Sequence, residues 1–353
     1  MLKFRISTPT TAAAPFDEAA SFEALAASFR EFTDACENLS VAESALKEVQ
    51  DVMDSIKLAH DKISEFGCTP VTMGVFNDNH RLDQDLGLEN LEMEKLATMS
   101  EEALESLKNT YLTALDAAQE ANDQGFIAAI KRFFQAIVDW FKKMFGSNAT
   151  LIKTLNGLDT QLANPPVDGQ MKGISNTAYA AMNKAIDDIG RVAVQYSQQL
   201  AGNQAFDVDL TAIKKTVEPL GLTVEGKKLS GELKEEFQGK AGTVKELGWD
   251  GGKAKTAKDD IVKKLDSAQI KGLSKAIDAA GKKAIAEAGK GTDAAKAIQA
   301  NVGACISLLK YHKKLINTIA VTLLSVGRAR AGKAEGGGEG AAAGGASAGG
   351  ENK

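Results

Sequence analysis

The sequence predicts an all-α protein, an elongated helical bundle with coiled-coil-like hairpins. Apolar residues recur at alternating spacings of three and four over several long stretches, which is the period of a helix that packs along one seam. Aromatic residues make up only 6% of the 353 residues. That composition, together with many alanine-rich stretches, favours slender bundles over one thick core.

The N-terminal part of the chain divides into two segments. Residues 1–15 are basic and hydroxyl-rich without an apolar run, which predicts a flexible N-terminus and no secretory signal. Residues 16–125 form an acidic helical region. Within it, seams over 16–38 and 45–66 predict two antiparallel helices, separated by a capping box that begins at Ser40.

Four further segments follow. Residues 126–163 are predicted to hold a central aromatic helix and the helix after it. Residues 170–250 are predicted to be helical, with a short hairpin between 222 and 229. Residues 251–330 form a basic helical region. In residues 331–353, 16 of 23 positions are Gly or Ala, which predicts a disordered tail.

The chain is organised around one ring-dense amphipathic stretch, residues 126–145. It holds six of the 20 aromatic residues, and its apolar side chains fall on one face at 100° per residue. A helix is predicted to end before it, near Gly125, and another to begin after it, at Asn148. The residues predicted to form a packing or interface surface are Phe126, Ile130, Phe133, Phe134, Ile137, Trp140, Phe141, Met144 and Phe145.

Three interpretations of this aromatic face remain open. It fits the most buried helix of a core, an interface with a neighbouring chain, or a helix lying in a membrane surface. The third interpretation makes a membrane-active helical protein the alternative function. The narrow polar side includes Asp139, which argues against a dedicated lipid binder. The longest apolar run, residues 315–326, is too short to span a bilayer, so a membrane is not the expected partner.

Charge is divided unevenly along the chain. Residues 1–125 carry 9 Lys+Arg against 24 Asp+Glu, whereas residues 251–334 carry 17 against 6. A basic half beside an acidic half predicts a polyanion partner for one half and shielding by the other. A solvated, salt-bridged surface is the competing interpretation. The lysines predicted to contact double-stranded DNA, without sequence preference, are Lys253, Lys255, Lys258, Lys263, Lys264, Lys271, Lys275, Lys282, Lys283 and Lys290.

No residue pattern predicts catalysis, a cofactor or a metal. Cys36, Cys68 and Cys305 lack the paired spacing of a zinc site and are odd in number, which argues against a disulfide framework. The glycine cluster at 336–340 lies in the tail and not between a strand and a helix, as a nucleotide-binding loop requires. We therefore expect a non-enzymatic protein.

The longest seam covers residues 298–326 and keeps its spacing over four heptads. A helix of this kind either forms the spine of a bundle or pairs with another chain. The seam therefore leaves two predictions open: an internal spine, or a homo-oligomer formed through 298–326.

Three stretches resemble the internal head proteins of large contractile-tailed bacteriophages. They are FFQAIVDWFKKMFG at 133–146, VKELGWD at 244–250 with the Lys-rich helices after it, and LLKYHKKLINTIAVTLLSVGRA at 308–329. The resemblance implies an all-α virion structural protein without catalysis. It implies a location inside the phage head, in the host cytoplasm during assembly, and capsid or other head proteins as partners.

The same resemblance implies proteolytic processing. Members of this family are cut by a prohead protease after Glu in short small-or-aliphatic-x-Glu contexts. Glu48 and Glu105 stand in such contexts and are the candidate cleavage sites. Removal of about the first hundred residues would discard the acidic region as a propeptide and leave a basic product able to neutralise packaged DNA.

Overall fold

The computed structural model describes residues 17–77, 96–197, 199–200, 210–289 and 292–329, and every structural statement below refers to those residues. The predicted flexible N-terminus, residues 1–15, lies outside this part. The predicted disordered tail and Lys290 also lie outside it.

Two very long helices form an antiparallel hairpin. Helix α1 spans Glu18–Phe66 and α3 spans Glu101–Gly157, with the short α2 (Pro70–Asn77) between them in the chain. Side-chain oxygens of Asp17 and Ser100 accept backbone N–H groups in the first turns of α1 and α3 and cap them. The hairpin places Phe32 against Trp140, near one end, and His60 against Asp116, near the other.

These two helices correct the predicted boundaries. Ser40 does not begin a new helix, because its hydroxyl donates to the Cys36 carbonyl oxygen at 3.0 Å inside α1. Likewise, Gly125 does not end a helix and Asn148 does not begin one, because both lie inside α3. Each helix packs along the apolar seam of the other, and this tertiary packing outweighs the local stop signals.

The rest of the chain forms shorter elements and one more long helix. Two short 3-10 helices, Glu218–Leu220 and Glu235–Phe237, lie before and after the β-hairpin over residues 222–231. The remaining elements are α4 (Asp159–Ala163), β1 (Gln170–Gly173), α5 (Asn176–Ser197), α6 (Thr211–Val217), β2 (Leu222–Glu225), β3 (Lys228–Gly231), β4 (Lys240–Thr243), α7 (Gly251–Leu265), α8 (Ala268–Ala288) and α9 (Thr292–Arg328).

The described strands form two small antiparallel sheets. In one, β1 pairs with β4. In the other, β2 and β3 form the short hairpin, whose tight turn includes Gly226 at φ 57°. The hydroxyl of Ser307 binds both the N–H and the carbonyl of Leu229 at 3.1 Å, which anchors this hairpin on α9. Because long helices dominate and the sheets are minor, the all-α fold class is confirmed.

Helix α9 is an internal spine of the bundle. It runs antiparallel to α1, as shown by the contacts of Lys296 with Asp54 and of Arg328 with Glu18, and it also packs on α5, α7 and α8. Its seam is buried inside the chain, so a second copy would have to bind some other surface of α9. The apolar seam residues, each at most 2% exposed, are Ile298, Val302, Cys305, Leu309, Ile316, Ile319, Leu323 and Val326.

Helix α8 closes the other side of α3 through a glycine. A Cβ added at Gly281 would lie 2.5 Å from Cδ1 of Phe134, so only glycine allows the two helices to approach this closely. On the same helix, a Cβ added at Gly272 would meet no atom within 4 Å.

We expect Gly281→Ala to lower the free energy of unfolding by about 1–3 kcal/mol, because the new methyl group overpacks the contact with Phe134. Gly272→Ala is the matched control and should raise the free energy of unfolding by up to about 1 kcal/mol, since alanine is the better helix former. Urea denaturation followed by circular dichroism measures both. Equal stabilisation by the two substitutions would contradict the close approach of α8 to α3.

Candidate polyanion interface and buried polar centre

The ring-dense face of α3 is enclosed by α1 on one side and α8 on the other. Five of its residues, Phe126, Ile130, Phe133, Ile137 and Trp140, are at most 1% exposed. Phe134, Phe141 and Met144 are also buried, and Phe145 is half-buried. The face therefore serves as core.

Contacts from α1 hold the centre of this face. The rings of Phe32 and Trp140 lie 5.9 Å apart, and the indole N–H of Trp140 donates to Sγ of Cys36 at 3.2 Å. Burial raises the pKa of Cys36, which keeps it a neutral thiol. An interface or membrane role for the aromatic face would require α1 or α8 to leave it. Within the described ranges, no helix is both long and apolar enough to cross a membrane.

The candidate DNA-contacting lysines do not form one continuous cationic surface. Lys283 is half-buried and has an intramolecular contact. Five others lie in ion pairs with aspartates: Lys253 with Asp250 at 3.2 Å, Lys258 with Asp159 at 2.7 Å, Lys264 with Asp187 at 2.5 Å, Lys271 with Asp266 at 2.6 Å, and Lys282 with Asp278 at 2.7 Å. These pairs reduce the charge that α7 and α8 offer to a polyanion.

Lys258 and Lys264 are parts of the interior. Their side chains are 8% and 13% exposed, and they tie α7 to Asp159, the first residue of α4, and to Asp187 on α5. Burial lowers the pKa of Lys258, but hydrogen bonds to Asp159 and Asp259 outweigh it, so the pKa lies above its ordinary value. The spacing of four from Ala254 and three to Ile261 places Lys258 on the apolar face of α7, and this signal could have identified it as buried.

Three candidates are available to a ligand. Lys255, Lys263 and Lys275 are exposed, and no carboxylate of the described residues lies within 4.0 Å of their amines. Lys255 and Lys263 share the outer face of α7, two turns apart, and Lys275 lies on the outer face of α8. These three lysines, here called the open lysines, are the described members of the candidate set that remain for phosphate contacts.

Carboxylates of the acidic N-terminal region do pair with lysines of the C-terminal part of the chain, but not with the predicted lysines of α7 and α8. On α1, Glu43 contacts both Lys228 at 2.7 Å and Lys310 at 3.8 Å, and Asp54 contacts Lys296 at 2.6 Å. These carboxylates cover β3 and α9. The lysines of α7 and α8 are instead neutralised mainly by aspartates of the rear half.

Both candidate cleavage sites are exposed and helical. Glu48 lies in the middle of α1, and Glu105 lies in the second turn of α3. Helix α1 contributes Leu39 and Leu46 to the same core that holds Trp140. The acidic region 16–125 is therefore not a separable unit, because its removal would uncover the aromatic face.

A buried polar centre, which the sequence did not reveal, lies where α3, α7 and α9 meet α1. Lys313 is 2% exposed, and its amine donates to Oδ1 of Asn148 and lies 5.7 Å from the centre of the Phe32 ring. The amide of Asn148 donates in turn to the carbonyl of Leu265 at 3.0 Å, at the end of α7. Within the described chain, no carboxylate pairs with Lys313. Burial lowers the pKa of Lys313 to about 7.

His312, next to this centre, is kept uncharged at neutral pH. A Cβ added at Gly190 of α5 would lie 3.3 Å from Nε2 of His312, so the ring packs closely on that helix. Burial, and then the charges of Lys264 and Lys313, lower the pKa of His312 to about 4. The described residues contain no group of three or more His, Cys, Asp or Glu that could hold a metal ion. The arrangement is that of a packed core.

Comparisons with protein-family models, curated proteins and solved structures found no match to this chain.

The buried amine predicts a pH dependence of stability. The pKa of Lys313 is about 7 in the folded chain against an ordinary 10.5. The unfolded state therefore binds more protons between these values, and stability decreases as the pH falls from about 10 to 7. In Lys313→Met we expect this pH dependence to disappear. At about 1.4 kcal/mol per pKa unit, the lowered pKa of Lys313 changes the free energy of unfolding by several kcal/mol over this pH range.

Urea denaturation at pH 7, 8.5 and 10 gives the slope of the free energy of unfolding against pH for each variant. The substitution also leaves Asn148 without its donor, but that cost is the same at every pH and does not change the slope. The control is Lys314→Met, since Lys314 is the exposed neighbour, 5.8 Å from the Tyr311 ring. Identical pH slopes for wild type and Lys313→Met would show that the amine is not desolvated.

Proposed function

We propose that the protein is a non-enzymatic structural protein of a phage head, packed inside the capsid and contacting double-stranded DNA without sequence preference. The three resembling stretches support this proposal, and so does the elongated helical architecture. The contact is assigned to the open lysines, because they are exposed and no carboxylate of the described residues lies within 4.0 Å of their amines. That observation carries the DNA-binding part of the proposal.

The proposed contact is weak and depends strongly on salt. Each neutralised phosphate contributes a slope of about −0.9 to the dependence of log K on log salt. Three contacts give a slope of about −2.7, so affinity falls about 40-fold between 50 and 200 mM salt. A protein present in many copies inside a capsid needs no tighter binding, because the DNA concentration there is high.

The long hairpin supports a structural role. At 1.5 Å per residue, the 57 residues of α3 extend about 85 Å. A second small core, with Ile56, Ile63, Tyr111 and Leu115, joins α1 and α3 at the end that lies away from the main core. A rod stabilised along its length suits a spacer that touches capsid or other head proteins at one end and DNA near the other.

For processing, we propose that the prohead protease cuts after Glu105 and that the N-terminal piece stays bound. Glu105 lies in the second turn of α3, where local opening is least costly. Glu48 lies inside α1, with packed turns on both sides. Because α1 covers the aromatic face, a cut would nick the chain and leave the core closed.

The first test is DNA binding. We expect Lys255→Glu/Lys263→Glu/Lys275→Glu to lose most of the affinity of the full chain for a duplex of about 25 base pairs and to flatten the salt slope by about 3. Fluorescence anisotropy on two unrelated duplexes measures both. Lys47→Glu/Lys57→Glu/Lys62→Glu on α1 makes the same change in net charge and should have a much smaller effect. Equal losses of DNA affinity in the two variants would contradict the assignment of the DNA contact to the open lysines.

The second test is limited digestion with a Glu-specific protease. Cleavage after Glu105 should precede cleavage after Glu48, and the two pieces should elute together in gel filtration under native conditions. Mass spectrometry identifies the cuts. Early cleavage at Glu48, or separation of the pieces without denaturant, would contradict the proposed processing.

A further inference from the structure

An apolar groove runs between α3 and α8. Phe134, Val138 and Phe141 of α3 and Ile277 and Ile285 of α8 line its floor, and its volume is about 330 Å³. The close contact of Gly281 with Phe134 forms the base of the groove. Over α3 the lining residues extend from 131 to 141, about 15 Å at 1.5 Å per residue.

The edges of this groove are cationic. Lys131 of α3 is exposed, and no carboxylate of the described chain pairs with it. Lys282 of α8 is also exposed and contacts Asp278, the one carboxylate in the lining. A segment that fits here has an apolar ridge flanked by carboxylates.

The outer face of α1 has that chemistry. Val41 lies on this face and is 69% exposed. Glu37 and Glu48 lie on the same face, one turn before and two turns after it, and both are exposed without an ion pair among the described residues. Ser44 between them is small. Residues 37–48 extend about 16 Å, close to the length of the groove.

The stripe and the groove of one molecule cannot meet. Helix α1 packs on the side of α3 that carries Trp140, and α8 packs on the side that carries Phe134. We propose that the Glu37–Val41–Glu48 stripe of one copy binds in the α3–α8 groove of a second copy. Because each copy carries one stripe and one groove, the contact can pair two copies reciprocally in a dimer or join them head-to-tail in a ring or an open chain. This inference does not depend on DNA binding or on the phage assignment.

Sedimentation velocity of the full chain, without DNA, tests the proposal. We expect the mean mass to increase between about 10 μM and 1 mM protein and to decrease with salt, as for an interface with charged edges. Val41→Asp should weaken the association at least tenfold. The control Val321→Asp replaces another exposed valine, on α9, and should leave it unchanged. A wild-type chain that stays monomeric over this range, or a Val41→Asp variant that associates normally, overturns the proposal.

A charge exchange distinguishes this pairing from nonspecific association. Glu37→Lys/Glu48→Lys makes the stripe basic, and Lys131→Glu/Lys282→Glu makes the groove acidic. Each variant alone brings like charges together and should be monomeric. Their mixture pairs each stripe with a groove of opposite charge and should restore association. If the mixture remains monomeric while the wild type associates, the stripe and the groove are not partners. Far-UV circular dichroism checks that both variants are folded.

Discussion

Burial of the aromatic face of α3 is the constraint on which the structure depends. Six aromatic rings within 20 residues cannot remain in water, and one neighbouring helix cannot cover them. Helix α1 covers the side of Trp140 and α8 covers the side of Phe134. Once α1 lies along α3, its own seam continues beyond the aromatic stretch, so the two helices extend together into the long hairpin.

The same packing determines what the lysines do. A lysine on the apolar face of a helix is carried into the core, where it finds an acceptor, as Lys258 does in Asp159 and Lys313 in Asn148. Burial without a carboxylate lowers the pKa of Lys313 to about 7, so this amine loses its proton far more readily than an exposed lysine. From the sequence alone these lysines are expected at a basic surface, whereas in the structure they are buried.

The surface that remains is consistent with a protein that acts by contact and position. The open lysines are exposed on the outer faces of α7 and α8, and α1 displays an acidic stripe with an exposed valine. The hairpin of α1 and α3 joins the main core to the small second core at its far end. Opposite charges on different faces are what the proposed self-association and the proposed DNA contact both require.

The sequence by itself determined the helical class and the aromatic face, because a period of three and four over many residues is a local signal. It also indicated the β2–β3 hairpin through Gly226. Tertiary structure decided that α1 and α3 continue through Ser40 and Gly125, that β1 pairs with the distant β4, and which lysines are buried. These features depend on partners far away in the chain. Lys258, for example, pairs with Asp159, 99 residues away, and the local spacing of apolar residues does not indicate such a partner.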